Sequence, residues 1–379
     1  MELLKDILVI DFSQFLSGPS ASLRLADMGA RVIKIEKPDT GDICRNLYVS
    51  DVDIEGESTI FHAINRNKES YSADLKKEED LKKVKKLLAK ADVMLHNFRP
   101  GVMDRLGLTY EQVKEINPSI VFAEISGYGE TGPLRELPGQ DLLLQAISGL
   151  PLLNNNADQP PTPMGVAVVD ILGGTYIAQG ILACLYQKIK TGEGALVQVS
   201  MLESALDFQF EVLACFLNDG HKLPQRSTVN QAHSYVAAPY GVYKTQDGYL
   251  ALAMGHVIQL GELLSCSALA EYTNPKEWFD RRDEIKKDLA EHLQSNTTDY
   301  WLSLLEPADI WCSEVFNYDQ LLQQEGYKVL DMELVVRTIS GTEVKTTRCP
   351  IRVDGKVLKS PISAPGLGYN TEKIDKEFQ

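Results

Sequence analysis

Asp170 is the residue whose type and setting could support covalent chemistry. It follows the small residues Gly165 and Ala167, and glycines occupy positions 173 and 174. An aspartate in this setting is usually only the acid at a helix N-terminus, where it interacts with free N–H groups and the helix dipole. Two early glycines cost a helix about 1 kcal/mol each relative to alanine, which indicates a close backbone or a close ligand. We expect the helix N-terminus to keep this carboxylate ionised, as a nucleophile requires.

A second candidate is the segment Asn97-Phe98-Arg99-Pro100-Gly101, with Arg105 shortly after it. It follows a strand-like run, and ligands of parallel sheets bind at the carboxyl ends of strands. One aromatic ring and two guanidinium groups suit an adenine ring and phosphate groups. An ordinary turn between a strand and a helix, with exposed arginines, accounts for the same residues equally well.

A glycine pattern at residues 127–132 matches the dinucleotide-binding fingerprint G-x-G-x-x-G, and it also follows a strand. That fingerprint must open a helix whose N-terminus holds the pyrophosphate. Pro133 comes directly after the last glycine, and Pro138 with Gly139 comes soon after. Because no helix can start where the fingerprint needs one, the sequence argues against a nicotinamide dinucleotide site here.

Charge and cysteine content narrow the class of protein. The formal net charge is −15, and nucleic-acid binding needs a basic surface, so no nucleic acid partner is expected. The six cysteines lack a C-x-x-C spacing and the six histidines form no cluster, which predicts reduced thiols and no metal. The apolar runs 142–153 and 164–172 are too short or too interrupted to span a membrane, and no signal peptide is visible. These features predict a cytoplasmic protein without a membrane partner.

The elements that position the candidate residues follow from hydrophobic periodicity. Over the first 125 residues, strands alternate with helices, which predicts a mainly parallel sheet with helices on its faces. The expected strands are 7–10, 31–36, 92–96 and 120–124, and the expected helices are 78–91, 101–106 and 109–116.

The pattern changes in the remainder of the chain. A long apolar helix over 171–190 ends at Gly192, and Ser200 is the expected N-cap of a helix over 201–218. Further expectations are strands at 196–199 and 249–253, a mostly helical stretch at 256–325, and two strands around Ser340-Gly341. With 379 residues, the chain is long enough for two packed bodies.

Taken together, short motifs along nearly the whole chain resemble the class III CoA-transferase family, which contains formyl-CoA and carnitine CoA-transferases. No single motif is specific, but their order and spacing are. The motifs are Val9-Ile10-Asp11-Phe12-Ser13, Gly18-Pro19, Gly29-Ala30-Arg31-Val32-Ile33-Lys34-Ile35-Glu36, Gly41-Asp42-Ile43-Cys44-Arg45, Asn65-Arg66-Asn67-Lys68, Asp74-Leu75-Lys76, Ala91-Asp92-Val93, Asn97-Phe98-Arg99-Pro100-Gly101, Leu106-Gly107, Ser126-Gly127-Tyr128-Gly129, Gly132-Pro133 and Lys190-Thr191-Gly192-Glu193-Gly194.

The resemblance implies a chemistry and a site. Asp170 falls in the matching Gly-Val-Ala-x-x-Asp segment and would be the nucleophile that carries CoA as an aspartyl thioester. CoA would be a substrate, with no further cofactor. The residues expected to bind CoA or the substrate are Gln14, Leu16, Ser17, Lys37, Ala73, Lys76, Asn97, Phe98, Arg99, Arg105 and Gln140.

The resemblance also implies an architecture. It predicts an α/β protein with a Rossmann-like large domain and a smaller α+β domain, whose ring-shaped chain forms an interlocked homodimer. The expected boundaries are 1–200 for the large CoA-binding domain, 201–225 for a linker helix, 226–325 for the small domain and 326–379 for a C-terminal segment that returns to the large domain.

Departures from the family pattern leave the substrate open. Leu16 stands where relatives often carry His or Gln, and the glycine-rich run of formyl-CoA transferases is reduced to Met254-Gly255-His256. The donor acyl-CoA and the acceptor acid are therefore unassigned, with His233, Tyr235 and His256 as candidates for the acyl end.

Two alternative functions remain at this stage. A 2-methylacyl-CoA racemase of the same fold needs a Gly-His-Asp segment, which reads Gly139-Gln140-Asp141 here. An amide cannot carry a proton, so the sequence disfavours racemisation. A CoA-binding protein without catalysis is the other alternative, and retention of Asp170 argues against it.

Overall fold

The computed structural model describes residues 2–47 and 52–378, and these residues form two compact units. Unit 1 comprises residues 1–144, 167–208 and 330–379, apart from the residues outside the described ranges. Unit 2 comprises residues 145–166 and 209–329.

These boundaries differ from the expected ones in two ways. Residues 145–166, expected in the large domain, group with unit 2 because Arg226 donates to the carbonyls of Asn154, Ala157 and Gln159. The expected linker helix over 201–225 is instead divided between the units at Phe208. The last segment of the chain, from Leu330 onward, belongs to unit 1.

A six-stranded sheet forms the centre of unit 1. Its strand order is β5-β2-β1-β6-β7-β8, and every neighbouring pair is parallel, as the alternation of strands and helices predicted. The strands are β1 Leu8–Asp11, β2 Arg31–Glu36, β5 Glu69–Ser72, β6 Val93–His96, β7 Val121–Ser126 and β8 Ala195–Ser200.

Strand β5 has no counterpart in the sequence prediction. Its sequence Glu-Ser-Tyr-Ser is short and mostly polar, so it lacks the apolar run that indicates a buried strand. Pairing with β2 and burial of Tyr71 stabilise it in the folded protein, which only the tertiary structure provides.

Each face of the sheet has its own hydrophobic core. One face packs against α1 (Ser17–Asp27) and α7 (Val168–Thr191), and its core includes Val9, Leu25 and Ile177. The other face packs against α3 (Glu78–Leu88) and α5 (Tyr110–Ile116), and its core includes Ile10, Val84 and Val113. The helices of unit 1 are α1 Ser17–Asp27, α2 Thr59–Ile64, α3 Glu78–Leu88, α4 Val102–Leu106, α5 Tyr110–Ile116, α6 Asp141–Ser148 (shared with unit 2), α7 Val168–Thr191, α8 Met201–Phe208 and α15 Thr371–Glu377.

The boundaries of α7 and α8 bear on the sequence predictions. Helix α7 begins at Val168, three residues before the predicted start, and ends at Thr191. The next residue, Gly192, caps it with φ 75° and donates to the carbonyl of Lys188. Ser200 caps α8 as predicted, since its hydroxyl accepts from the N–H of Glu203. The predicted single helix over 201–218 is broken at Gln209 into α8 and α9.

Residues after β7 form a loop and not the helix of a dinucleotide site. Gly127 and Gly139 lie so close that a Cβ on Gly139 would be 2.6 Å from the Cα of Gly127. The two ends of the loop therefore meet backbone to backbone, and the next helix, α6, starts only at Asp141. The prediction that no helix opens directly after residue 132 is confirmed.

Unit 2 packs helices against a small antiparallel sheet of order β11-β10-β9. Its strands are β9 Gly241–Lys244, β10 Tyr249–Leu252 and β11 Cys312–Glu314, and its helices are α9 Phe210–Asn218, α10 Val257–Leu264, α11 Arg282–Leu293, α12 Thr298–Leu305, α13 Tyr318–Gln323 and α14 Glu325–Lys328.

Short hairpins complete unit 1. The predicted strands around Ser340-Gly341 pair antiparallel, with Arg337 opposite Glu343. The hairpin strands are β3 Asp53–Ile54, β4 Glu57–Ser58, β12 Glu333–Arg337, β13 Glu343–Thr347, β14 Arg352–Val353 and β15 Lys356–Val357.

Candidate active site

Asp170 is the third residue of α7, close to the helix N-terminus. Its neighbour Val169 is fully buried in the core between the sheet and the helix, which fixes the first turn. The side chain of Asp170 is half-buried. In the described part of the chain, no lysine, arginine or histidine forms an ion pair with it. The carboxylate thus sits at a helix start without a counter-cation.

A second carboxylate, that of Asp141, caps the helix that carries Asp170. Its Oδ1 accepts hydrogen bonds from the N–H of Val169 at 2.7 Å and from the N–H of Asp170 at 3.1 Å. Helix α7 has no side-chain cap from its own N-cap residue, Ala167. Asp141 therefore satisfies two of the free N–H groups that open the helix.

This arrangement raises the pKa of Asp170 to about 7, first by burial and then by the negative charge of Asp141. The expectation that the helix N-terminus keeps Asp170 ionised was wrong. The N–H groups that would stabilise its charge are partly occupied by Asp141, and burial disfavours the charged form. A half-buried carboxyl group with this pKa changes protonation state near neutral pH.

The paired glycines of α7 serve close helix packing. A Cβ on Gly173 would lie 3.0 Å from the Oγ of Ser17, and one on Gly174 would lie 2.6 Å from the carbonyl oxygen of Ser17. Of the two explanations the sequence allowed, a close backbone is therefore the one observed. The contact brings the first turn of α1 against α7, one helical turn beyond Asp170.

The loop of residues 13–16, hereafter the β1–α1 loop, leads into that turn. Gln14 is half-buried, and its N–H and carbonyl are both bound by the side-chain amide of Asn97. Leu16 is half-buried at the N-cap position of α1 and offers no side-chain cap. Ser17 is buried, and its hydroxyl has no hydrogen-bond partner in the described part of the chain.

The predicted CoA-binding cations all follow the carboxyl ends of strands in the central sheet. Lys76 follows β5, Lys37 follows β2, and Arg99 and Arg105 follow β6. All four are exposed. Within residues 2–47 and 52–378, none of their side chains forms an ion pair or hydrogen bond, so their charges are available to an anion.

The remaining residues predicted to bind CoA differ in how far their side chains and backbone groups are already bound within the protein. Phe98 is half-buried and stacks on the ring of His96, with centroids 6.1 Å apart. Ala73 is buried, and its N–H donates to the carbonyl of Glu36. Gln140 has an exposed side chain, and its carbonyl accepts from Leu144 at the start of α6. Asn97 uses its amide within the protein, although it was predicted to bind CoA.

The three candidates for the acyl end all belong to unit 2. The Nε2 of His233 lies 3.7 Å from a carboxylate oxygen of Glu211, and the buried hydroxyl of Tyr235 has no partner among the described residues. His256 is the N-cap of α10 and packs edge-on against Trp278. Its ring therefore has a structural use.

Sequence reasoning missed Asp141 as part of the site. It stands directly after Gln140, in a segment whose family pattern draws attention to position 140 and not to the aspartate beside it. A carboxylate that caps a helix from another helix leaves no local pattern, because the spacing to Val169 is 28 residues.

Two further properties concern metals and membranes. Among the described residues, no group of three or more His, Cys, Asp or Glu side chains could hold a metal ion.

Helix α7 is long and apolar enough, by length and composition alone, to cross a membrane. The core helix of a soluble protein meets the same criterion, and α7 packs against α1 and the sheet.

Comparison with known proteins identifies the family. The profile of CoA-transferase family III matches residues 4–371. The acetyl-CoA:oxalate CoA-transferase of Acetobacter aceti is 38% identical over 315 residues, which cover 80% of this chain and 78% of that protein. The human succinyl-CoA:glutarate CoA-transferase is 30% identical, over 99% of this chain and 85% of that protein.

Solved structures agree with this assignment. A CAIB/BAIF family protein from Brucella suis superposes with a TM-score of 0.85 at 30% identity, covering 98% of both chains. The protein Rv3272 from Mycobacterium tuberculosis gives a TM-score of 0.84 at 26% identity, covering 99% of both chains. The chain belongs to CoA-transferase family III. Its activity is CoA transfer, and the resemblance inferred from the sequence motifs is confirmed.

Proposed function

We propose that the enzyme moves CoA from an acyl-CoA thioester to a carboxylic acid through an aspartyl-CoA thioester on Asp170. The observation that carries this proposal is the half-buried Asp170 carboxylate at the start of α7, with no counter-cation among the described residues. A carboxylate that is neither ion-paired nor fully hydrated is a stronger nucleophile than one in bulk water.

The chemistry proceeds in balanced exchanges of one acyl bond for another. The Asp170 carboxylate attacks the thioester carbonyl, which forms a mixed anhydride and releases the CoA thiolate. The thiolate attacks the aspartyl carbonyl, giving the aspartyl-CoA thioester and the free donor acid. The acceptor carboxylate attacks that thioester, and the thiolate released then attacks the acceptor carbonyl of the new anhydride. Asp170 leaves as a carboxylate, so no net proton, electron or phosphate is consumed.

The pKa of Asp170 gives this mechanism a pH dependence. Only the deprotonated form attacks, and burial together with the Asp141 charge raises the pKa of Asp170 to about 7. Because the deprotonated fraction of Asp170 grows as the pH rises through about 7, the activity should rise over the same range.

The oxyanions formed in each step need hydrogen-bond donors. The first turn of α1 supports this role because its N–H groups have no partner within the helix, and Leu16 provides no side-chain cap. The contact of Ser17 with Gly173 puts this turn beside the nucleophile helix. We assign the backbone N–H groups of Leu16, Ser17 and Gly18 to oxyanion stabilisation.

CoA binding is assigned to the carboxyl edge of the central sheet. Lys37, Lys76, Arg99 and Arg105 are exposed cations without partners among the described residues, which suits the phosphates of CoA. Phe98, stacked on His96, offers a ring to the adenine. The backbone near Ala73 and the exposed Gln140 complete the assigned pocket. No further cofactor is part of the proposal.

Names of relatives suggest the substrate class. The Acetobacter relative is named for acetyl-CoA and oxalate, and the human relative for succinyl-CoA and glutarate. Both names pair a short acyl-CoA with a dicarboxylic acid. We propose a dicarboxylate as the acceptor for this enzyme.

A homodimer and a cytoplasmic location are further parts of the proposal. Exposed apolar side chains on α7, including Tyr186 at 61% and Ile189 at 81% exposure, favour contact with a second copy. An interlocked pair of ring-shaped chains follows from the family resemblance. All six cysteines are free, as in a reducing compartment. Light scattering coupled to size exclusion would test the dimer.

Intact-protein mass spectrometry tests the central step. The protein is incubated briefly with acetyl-CoA or succinyl-CoA and compared with the Asp170→Asn variant. We expect a CoA-sized adduct that maps to Asp170 and is absent from the variant. Binding of CoA without any adduct or transfer, using oxalate and glutarate as acceptors, would contradict the mechanism. Proton exchange into 2-methylacyl-CoA would then identify a racemase, and its absence a non-catalytic binder.

A further inference from the structure

The β1–α1 loop has a backbone conformation that its own sequence does not favour. Phe15 has φ 63°, in the left-handed region, which costs a non-glycine residue about 1 kcal/mol or more. The loop also turns back tightly, because a Cβ on Gly18 would lie 2.2 Å from the Cβ of Ser13. Interactions with the rest of unit 1 must hold this conformation.

Side chains from the two strands that flank β1, and from the segments that follow them, supply those interactions. Asn97, after β6, accepts from the N–H of Gln14 at 2.9 Å and donates to its carbonyl at 2.8 Å. Asp42, after β2, accepts from the N–H of Phe15 at 3.1 Å. Lys34, in β2, donates to the carbonyl of Ser13 at 2.6 Å. Three consecutive loop residues are therefore bound through their backbones.

Lys34 and Asp42 also pair with each other, with Nζ and Oδ2 2.8 Å apart, and their side chains are completely buried. A buried ion pair is weak evidence for stability, since apolar residues of similar volume often serve as well. Apolar residues could not bind the Ser13 carbonyl and the Phe15 N–H. The buried Lys34–Asp42 pair is therefore explained by its hydrogen bonds to the backbone of Ser13 and Phe15.

Burial opposes the charge of Lys34, but Asp42, Asp11 and Glu36 together raise its pKa. Asp11 reinforces the same loop, since its Oδ1 accepts from the N–H of Ser13 at 2.8 Å and from the Ser13 hydroxyl. Lys34 therefore remains an ammonium group and a donor at neutral pH.

We propose that Lys34, Asp42 and Asn97 are positioning residues that fix the β1–α1 loop for the transfer reaction, and that Asn97 does not bind CoA through its side chain. The inference rests on the proposed function, in which N–H groups at the end of this loop and in the first turn of α1 stabilise the oxyanions. Displacing catalytic groups by about 1 Å can cost about a hundredfold in rate. Loss of these contacts should therefore slow transfer more than it weakens CoA binding.

The test uses two variants with matched controls. Asn97→Ala removes both contacts to Gln14, and Asp42→Asn removes the charge that pairs with Lys34. Asn117→Ala is matched to the first, because the Asn117 amide also donates to two backbone carbonyls, those of Leu88 and Ala91. Asp27→Asn is matched to the second, because Asp27 forms a fully buried ion pair with Arg66.

We expect Asn97→Ala and Asp42→Asn to lower kcat about 10- to 100-fold while the Kd of CoA changes less than about threefold. Both controls should lower the free energy of unfolding and leave kcat within about threefold of the wild type. A tenfold loss of CoA affinity with unchanged kcat in Asn97→Ala would instead identify Asn97 as a CoA ligand. Controls that lose as much kcat as the test variants would also overturn the inference.

Hydrogen exchange of the free protein separates this inference from the proposed function. The amides of Gln14 and Phe15 should exchange slowly in the wild type and in Asn117→Ala, and at least about tenfold faster in Asn97→Ala. Fast exchange in the wild type would contradict positioning of the loop. This readout needs no substrate, so it decides the loop question even if no acyl-CoA is turned over. Should Asp42→Asn not fold, the half-buried Asn97 still provides the test.

Discussion

Unit 1 contains two groups of buried or half-buried carboxylates whose charges are treated in opposite ways. In the first group, Asp170 has Asp141 as its charged neighbour, and burial together with that charge raises the pKa of Asp170 to about 7. In the second group, burial also opposes ionisation of Asp11 and Glu36, yet their pKa values are lowered.

The difference lies in the cations. Lys68 and Lys34 lower the pKa of Asp11, and Arg45 with Lys34 lowers that of Glu36. Hydroxyl groups of Ser22 and Ser70 donate to the same carboxylates. The structural carboxylates of Asp11 and Glu36 are therefore surrounded by cations and hydroxyl donors. The proposed nucleophile, Asp170, has no cation beside it among the described residues. The comparison separates the two roles by the charges around each carboxylate, since burial opposes ionisation in both groups.

The largest expected effect is on activity at Asp170. Asp170→Asn should lower transfer by at least about a thousandfold, because the amide is not nucleophilic. Rates of acyl-CoA consumption in the presence of an acceptor acid would measure it. Asp319→Asn, at an exposed first-turn aspartate of α13, is the control and should leave the rate unchanged. Retention of more than about a tenth of the activity in Asp170→Asn would mean that Asp170 is not the nucleophile.

The second effect is on stability at Asp11. Asp11→Asn leaves Lys68 and Lys34 buried with less compensation, which should lower the free energy of unfolding by about 3–5 kcal/mol. Denaturant unfolding compares this variant with Asp6→Asn, whose side chain is exposed and whose change should stay within about 0.5 kcal/mol. Equal stability of the two variants would mean that the charge of Asp11 beside Lys68 and Lys34 does not stabilise the fold.

The third effect is the pH dependence of stability due to Asp170. Its folded pKa, about 7, is above the ordinary 3.8, so the folded protein binds this proton more tightly than the unfolded chain does. The contribution of Asp170 to stability is therefore present at low pH and is lost as pH rises towards 7. Asp170→Asn should be about 1–3 kcal/mol more stable than the wild type at pH 8, with little difference at pH 4. A variant less stable at pH 8 would contradict the raised pKa.

The smallest effect concerns Asp141. Asp141→Asn keeps an acceptor for the N–H groups of Val169 and Asp170 but removes the negative charge beside Asp170. The pKa of Asp170 should fall, which moves the acidic limb of kcat/KM against pH down by about one unit. The profile of the wild type is the reference. An unshifted limb would assign the raised pKa to burial alone.

Much of the fold could be predicted from local patterns. The apolar runs of β1, β2, β6 and β7 and the periodicity of α3 depend on residues within each segment. The parallel sheet then follows from their alternation. Strand β5 and the break at Gln209 were not predictable in this way, since partners distant in sequence stabilise β5 and Gln209 belongs to an otherwise continuous helical pattern.

For the site, the sequence by itself determined which residue could be the nucleophile and that Arg99 and Arg105 follow the carboxyl end of a strand. Asp170, the arginines after β6 and the family motifs are all readable as residue types in order. Only the tertiary structure decided how each group is used. It assigned the Asn97 amide to Gln14, the two glycines of α7 to contact with Ser17, and Asp141 to the helix that carries Asp170. The reason is physical: pKa values and hydrogen bonds depend on what lies within a few ångströms, and here those neighbours are separated by 28 to 157 residues along the chain.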